Sequence, residues 1–276
     1  MKKIGIAIFC VLSLFVLALV GNAAAYNATY THTLYAASNP PTIDGTYAPG
    51  DEWLASGTQT FGTNGIFRDQ WTMSPNLACL LIETADGTND AGDYWVVCYD
   101  STESGTTTEP DGGPAPKIYD YKLVVTGHGA TATVQWYKGT GTGWTTTSAA
   151  GGLTQAQTLS PYTPKIGTPH YVLEIAIDKS DTSLGSYPMG YNWANYIAYY
   201  DAHAGGYGLQ QWPPAPASAD VPDSWGYITY DMAANPTPDV PESISIAVML
   251  AVSSVAVAGV VLLRKRTKIA NLSIKN

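Results

Sequence analysis

The sequence predicts an all-β fold: a two-sheet antiparallel β-sandwich of jelly-roll type, followed by one transmembrane helix near the C-terminus. Three observations predict it. Short runs of β-branched and aromatic residues recur along the chain, separated by Gly, Pro, Asn and Asp clusters. Between the two hydrophobic ends no stretch carries the 3.6-residue apolar period of an amphipathic helix. Near the C-terminus an uncharged run of 20 residues, Ile244 to Leu263, is followed at once by Arg264, Lys265 and Arg266.

The chain opens with a signal peptide. Lys2 and Lys3 supply a positive start, Ile4 to Val20 an apolar stretch, and Ala23-Ala24-Ala25 a small-residue cleavage site. Residues 1–25 are therefore set aside, Cys10 with them. The β-sandwich is expected over 26–232, a Pro-rich stalk over 233–243, the membrane span over 244–263 and a basic tail over 264–276. An α-helix of 20 residues covers ~30 Å of hydrocarbon. The basic cluster behind it is expected to stay in the cytoplasm, which puts the N-terminal domain at the cell surface, outside the membrane.

Strands are expected at Tyr30–Tyr35, Pro41–Asp44, Thr58–Phe61, Leu77–Thr84, Tyr94–Tyr99 and Tyr119–Thr126. Further ones follow at Thr131–Tyr137, Trp144–Thr147, Tyr171–Asp178, Tyr196–Asp201 and Gly226–Tyr230. Two of them alternate: Tyr119, Tyr121, Leu123 and Val125 share one face, as do Tyr171, Leu173, Ile175 and Ile177. About eleven short strands at this spacing read as two packed sheets. Ser101–Pro116 and Ala233–Pro241 read as linkers.

Between Tyr26 and Val240 six Lys/Arg face 21 Asp/Glu, a net charge of −15. Such a surface repels nucleic acid and anionic lipid, so no nucleic-acid partner is expected.

Pro41-Thr42-Ile43-Asp44-Gly45 is followed by Asp51-Glu52-Trp53, by the strand Leu77–Asp86 ending in acid, and by a Glu-centred strand, Tyr171 to Ile177. The series closes on Tyr199-Tyr200-Asp201, Trp212 and Pro222-Asp223-Ser224-Trp225-Gly226. In this order the motifs resemble the family 9 carbohydrate-binding modules and the related DOMON sandwich domains, over most of Pro41–Tyr230. The resemblance implies a β-sandwich that binds glycan without catalysis or, in some branches, haem b. At the C-terminus, Val240-Pro241-Glu242-Ser243, the span and the basic cluster resemble an archaeal surface-sorting signal of the PEF type. A plain single-span anchor is the other reading.

The chain has eight Trp and 19 Tyr. A flat ring packs against the C–H face of a pyranose while neighbouring Asp, Asn and Gln take its hydroxyls. Trp71, Trp144 and Trp212 adjoin Gly- or Pro-rich turns and are the expected ligand-binding rings. Trp53, Trp95, Trp136, Trp193 and Trp225 are expected in the core. The expected partner is an extracellular polysaccharide or cell-surface glycan; a structural coat component is the alternative, and a haem b electron-transfer domain a further one.

Asp86, Asn89, Asp90 and Asp93 crowd one loop and are expected to supply oxygens to Ca²⁺; a solvated acidic turn is the other reading. Cys79 and Cys98 fall opposite each other if Thr84 pairs with Asp93 across a hairpin, so a disulfide is expected outside the cell, with two free buried thiols as the alternative. Asn27-Ala28-Thr29 is a glycosylation sequon. The four His show no zinc spacing. Met73, Met189 and Met232 are the Met available to haem, which is not favoured. Glu83 and Glu174 have no spacing that marks a catalytic pair.

Overall fold

A computed structural model describes residues 26–48, 52–54, 57–100, 110–148, 153–160, 163, 165–180 and 192–234. The expected signal peptide, residues 235–243 of the stalk, the span 244–263, the basic tail and Met189 lie outside them. Among the described residues no helix is long and apolar enough to cross a membrane.

The fold is all-β. Thirteen strands run in chain order β1 (Asn27–Ala36), β2 (Thr58–Phe61), β3 (Gly65–Thr72), β4 (Leu77–Thr84), β5 (Tyr94–Asp100), β6 (Tyr121–Thr126) and β7 (Thr133–Gly139). Then come β8 (Trp144–Thr147), β9 (Leu153–Ser160), β10 (His170–Asp178), β11 (Trp193–Asp201), β12 (Gly208–Trp212) and β13 (Gly226–Ala234). They form one hydrogen-bonded sheet in the order β8-β7-β6-β5-β11-β13-β1-β3-β4-β10-β9, with β12 on β11 and β2 on β3. The sheet curls so that its two halves face each other, which makes a sandwich. Trp95, Val97, Leu123, Trp136 and Ile197 from one half meet Phe67, Leu80, Ile82, Leu173 and Ile175 from the other.

The wholly antiparallel expectation needs one correction. β1 pairs in parallel with both β13 and β3. Parallel neighbours need a crossover rather than a tight turn. The chain between β1 and β3 supplies one for that pair, and the whole intervening chain separates β1 from β13.

That crossover packs on the outside of the β4–β10 layer. Tyr47 and Trp53 bury against Cys79, Leu81, Val172 and Ala176. Glu174 fastens it: Oε2 accepts the N–H of Asp44 (3.0 Å) and of Gly45 (2.8 Å), and Oε1 accepts Trp53 Nε1–H (3.1 Å). Gly45 has φ +79°, and a Cβ there would lie 2.7 Å from the Gln157 backbone; only glycine fits both constraints. Burial pushes the Glu174 carboxyl up, to about 7, against the pull of its donors. The Ile-Asp-Gly turn, the Glu-Trp pair and the Glu-centred strand are thus one structural clasp.

β3 is buried at every residue although three of its side chains are polar at the centre. Arg68 Nε and Nη2 donate to Glu83 Oε1 at 3.2 and 2.9 Å, and His170 Nε2 lies 3.2 Å from Glu83 Oε2. Burial opposes the charge on Glu83, but the His170 hydrogen bond and the Arg68 guanidinium outweigh it and hold the carboxyl below its ordinary value. Asp69 pairs with His32 at 2.5 Å. Gln70 accepts from Leu54 N–H and donates to the Glu52 carbonyl.

The expected disulfide is corrected. Cys79 and Cys98 are free and buried. β4 pairs with β3 and β10, while β5 pairs with β11 and β6, so the two strands belong to opposite layers and form no hairpin. The reason lies in the connecting loop, where Asp86 and Asp93 turn inward and carry the chain over the end of the sandwich. Burial pushes the Cys79 thiol up to about 12 and the Cys98 thiol well above its ordinary value.

Candidate functional site

Residues paired across antiparallel strands lie on the same side of the sheet. On the outer face of the first layer this register lines up Leu209, Tyr200, Tyr94, Thr126 and Thr133 across β12, β11, β5, β6 and β7. At ~4.8 Å per strand the row is about 19 Å long. Its apolar end is open to solvent: Leu209 is 51% exposed and Tyr200 36%. The Tyr94 and Tyr200 rings stack with centroids 5.2 Å apart and planes 12° from parallel. A second row, Gln211, Ala198, Val96, Val124 and Gln135, runs beside the first.

The third row, Tyr196, Cys98, Lys122, Tyr137 and Thr146, is partly roofed by Trp225 and Ala217. Trp144, at the start of edge strand β8, is half-buried at the rim of this roof. Its ring lies nearly parallel to that of Trp225, 5° apart in plane with centroids separated by 6.4 Å. Trp144 Nε1 donates to Asp220 Oδ1 at 2.8 Å, and Lys122 Nζ reaches the same oxygen at 3.3 Å. Lys122 Nζ also sits 4.6 Å from the Trp144 ring centroid and 5.1 Å from that of Tyr137. This end of the face therefore offers rings, a carboxylate and an ammonium within one small area.

Of the three Trp expected to bind ligand, only Trp144 reaches the surface. Trp71 and Trp212 are 1% and 3% exposed and belong to the core. Trp71 lies mid-sheet in β3, its Nε1 donating to the Asp231 carbonyl and Lys179 Nζ resting 4.8 Å from its ring centroid. Trp212 packs its edge against Phe67, centroids 5.1 Å apart. Turn residues flank both in sequence, but their strands carry them inward. Trp53, Trp95, Trp136, Trp193 and Trp225 are buried.

The acidic loop does not gather its four expected Ca²⁺ ligands. Asn89 is exposed, and Asp90 faces His203 at 3.1 Å. Asp86 and Asp93 instead converge on His128 inside the protein. Asp86 Oδ2 accepts the Tyr199 hydroxyl at 2.5 Å, Asp93 Oδ2 lies 3.1 Å from His128 Nε2, and Asp93 Oδ1 accepts Ala202 N–H at 2.8 Å. Burial lowers the His128 pKa, outweighing the pull of Asp93 and Asp86. An imidazole beside two carboxylates suits a transition metal better than Ca²⁺. Here Asp86 accepts from Tyr199 and Thr88 and Asp93 from Asp90 and Ala202, while His128 Nδ1 is buried without a hydrogen-bond partner among the described residues.

His32, His128, His170 and His203 each face a carboxylate. Met73 is exposed, and Asn27 opens β1 with its side-chain oxygen accepting Thr29 N–H at 3.2 Å. A surface depression of about 400 Å³ beside the β2–β3 hairpin is lined by Thr60, Thr63, Asn64 and Lys165 but by no ring.

No protein-family model matches the chain, and no curated protein does. Among solved structures it is similar to a family 9 carbohydrate-binding module from Caldicellulosiruptor kristjanssonii in complex with glucose, at 14% identity and TM-score 0.47, over 74% of this chain and 97% of that one. It is also similar to a candidate carbohydrate-binding protein from Bacteroides uniformis, at 10% identity and TM-score 0.43, over 73% and 99%.

Proposed function

We propose that the chain is a non-catalytic glycan-binding module, held at the cell surface by its C-terminal hydrophobic span. The observation that supports this most is the outer sheet face that runs from Leu209, Tyr200 and Tyr94 towards Trp144. Its rings would receive the apolar faces of sugar units. Thr126, Gln135, Gln211, Lys122 and Asp220 would meet the hydroxyls. Neutral sugar chains carry no charge for the acidic surface to repel, so the reading favours them over uronic-acid or sulfated chains.

The purified chain is expected to bind members of a polysaccharide panel. Trp144→Ala and Tyr200→Ala should each weaken that binding by about 1–3 kcal/mol, the scale of a hot-spot aromatic, with a smaller loss of melting temperature than a core Trp substitution. Trp225→Ala, which opens the buried roof, should lower the melting temperature more. If no polysaccharide binds the wild type at millimolar concentration, the glycan reading falls and a structural coat role takes its place.

The anchoring half of the proposal has its own check. External protease on intact cells should release nearly all of residues 26–240. Protection of the bulk of the chain would place it on the other side of the membrane.

A further inference from the structure

Asp100 ends β5, Asp120 immediately precedes β6, and Asp111 lies on the connection between them. One carboxylate oxygen of each lies within 4.8 Å of those of the other two. Asp100 and Asp120 have no exposure to solvent. Each uses Oδ2 to accept one backbone N–H, from Gly112 at 2.8 Å and from Lys117 at 2.6 Å. The Oδ1 atom of each is sealed from solvent and, among the described residues, finds no partner beyond the other aspartate's carboxyl group. The nearby ammonium of Lys117 is drawn to Asp111 instead, 3.2 Å from its Oδ2 and 3.0 Å from its carbonyl oxygen.

Buried acceptors without partners are rare, and buried charges without a counter-charge are costly. Two carboxylates in this state call for a proton or a cation. The donor set is all oxygen and strongly anionic, with no sulfur or imidazole, which selects a hard cation. Ca²⁺–oxygen bonds of about 2.3–2.6 Å allow ligand oxygens on opposite sides of the ion to lie about 5 Å apart. The three oxygens all lie within that span of one another, and a site built from protein carboxylates suits Ca²⁺ better than Mg²⁺, which keeps several of its waters. We propose that Asp100, Asp111 and Asp120 form a Ca²⁺ site that ties the end of β5 to the start of β6. It shares no residue with the aromatic face and stands or falls without the glycan reading.

The test compares thermal unfolding of the purified chain in EDTA and in millimolar Ca²⁺, with calorimetric titration by Ca²⁺ alone. A ligand that binds only the folded state should raise the melting temperature, here by about 3 °C or more. Asp100→Asn and Asp120→Asn keep the side-chain shape and should abolish the shift. Asp111→Asn, at the least buried of the three positions (side chain 23% exposed), should weaken Ca²⁺ binding at least tenfold. A wild type indifferent to Ca²⁺ overturns the site, as does a shift that survives both Asp111→Asn and Asp120→Asn. A shared proton in place of the cation would show differently. Stability would then fall as pH rises through about 7, the value to which burial pushes Asp120, whether or not Ca²⁺ is present, and that result also overturns the site.

Discussion

Arg68→Met is expected to destabilise the fold by about 3–5 kcal/mol, the usual cost of breaking a buried ion pair from one side. Arg68 and Glu83 are both fully buried, so the substitution leaves the Glu83 carboxylate in a dry interior with His170 as its remaining titratable partner. The double variant Arg68→Met/Glu83→Leu should recover much of the loss, because a well-packed apolar pair is often as stable as the ions it replaces. Denaturant titration of the single and double variants measures both effects. If the two losses add, the residues do not act as a pair. The ion pair also predicts an acid dependence. The folded-state pKa of Glu83 is depressed, so its contribution is present above the unfolded value of about 4.5 and is lost as pH falls through the folded one. Arg68→Met should flatten this dependence.

Glu174→Ala should be comparably severe. It removes a buried side chain and strands three donors: the buried N–H of Gly45, the buried Trp53 indole N–H and the part-buried N–H of Asp44. At about 1–3 kcal/mol for each of the two buried donors, a loss of at least ~2 kcal/mol follows. Glu174→Gln separates the polar part from the cavity, because the amide keeps the shape but turns an NH₂ group towards N–H donors. It should fall between Glu174→Ala and wild type. A Gln variant within about 0.5 kcal/mol of wild type would show that the clasp is not what holds residues 41–54 to the β4–β10 layer.

Much of the fold was legible in the sequence because alternation survives wherever one strand face is buried. Tyr121, Leu123 and Val125 point into the core, as the alternation over 119–125 predicts. β2, β4 and β8 span the residues expected of them. β3 escaped because its centre, Arg68-Asp69-Gln70, looks like a solvated turn. Each of those side chains pairs with a residue distant in sequence, Arg68 with Glu83, Asp69 with His32 and Gln70 with Glu52 and Leu54, a pairing that no local pattern carries. β9 and β12 escaped for a similar reason: Gln and Thr make up half of β9, β12 is short and centred on two Gln, and the sheet they join is set by their neighbours.

The site was less legible than the fold. Trp71 and Trp212 carry turn residues beside them, yet burial is decided by which way a strand faces, and neither strand showed a clear alternation. Tyr94 and Tyr200 do not stand out in sequence as a binding face because β5 and β11 are apolar on both faces. One face lies in the core, and the other is covered along only part of its length. The cysteine register depended on a hairpin that the inward turn of Asp86 and Asp93 precludes.

The parallel pairing of β1 with β13 has a mechanical consequence. The first and last strands lie side by side and point the same way, so the described chain begins at one end of the pair and finishes at the other, a separation of roughly 30 Å for strands of this length. A pull between those two ends runs along the strands. It loads the hydrogen bonds of the β1–β13 ladder together, in shear, whereas an antiparallel pair pulled from adjacent ends would unzip bond by bond. A domain tethered behind β13 and tugged from its far end would meet that load with its whole ladder at once.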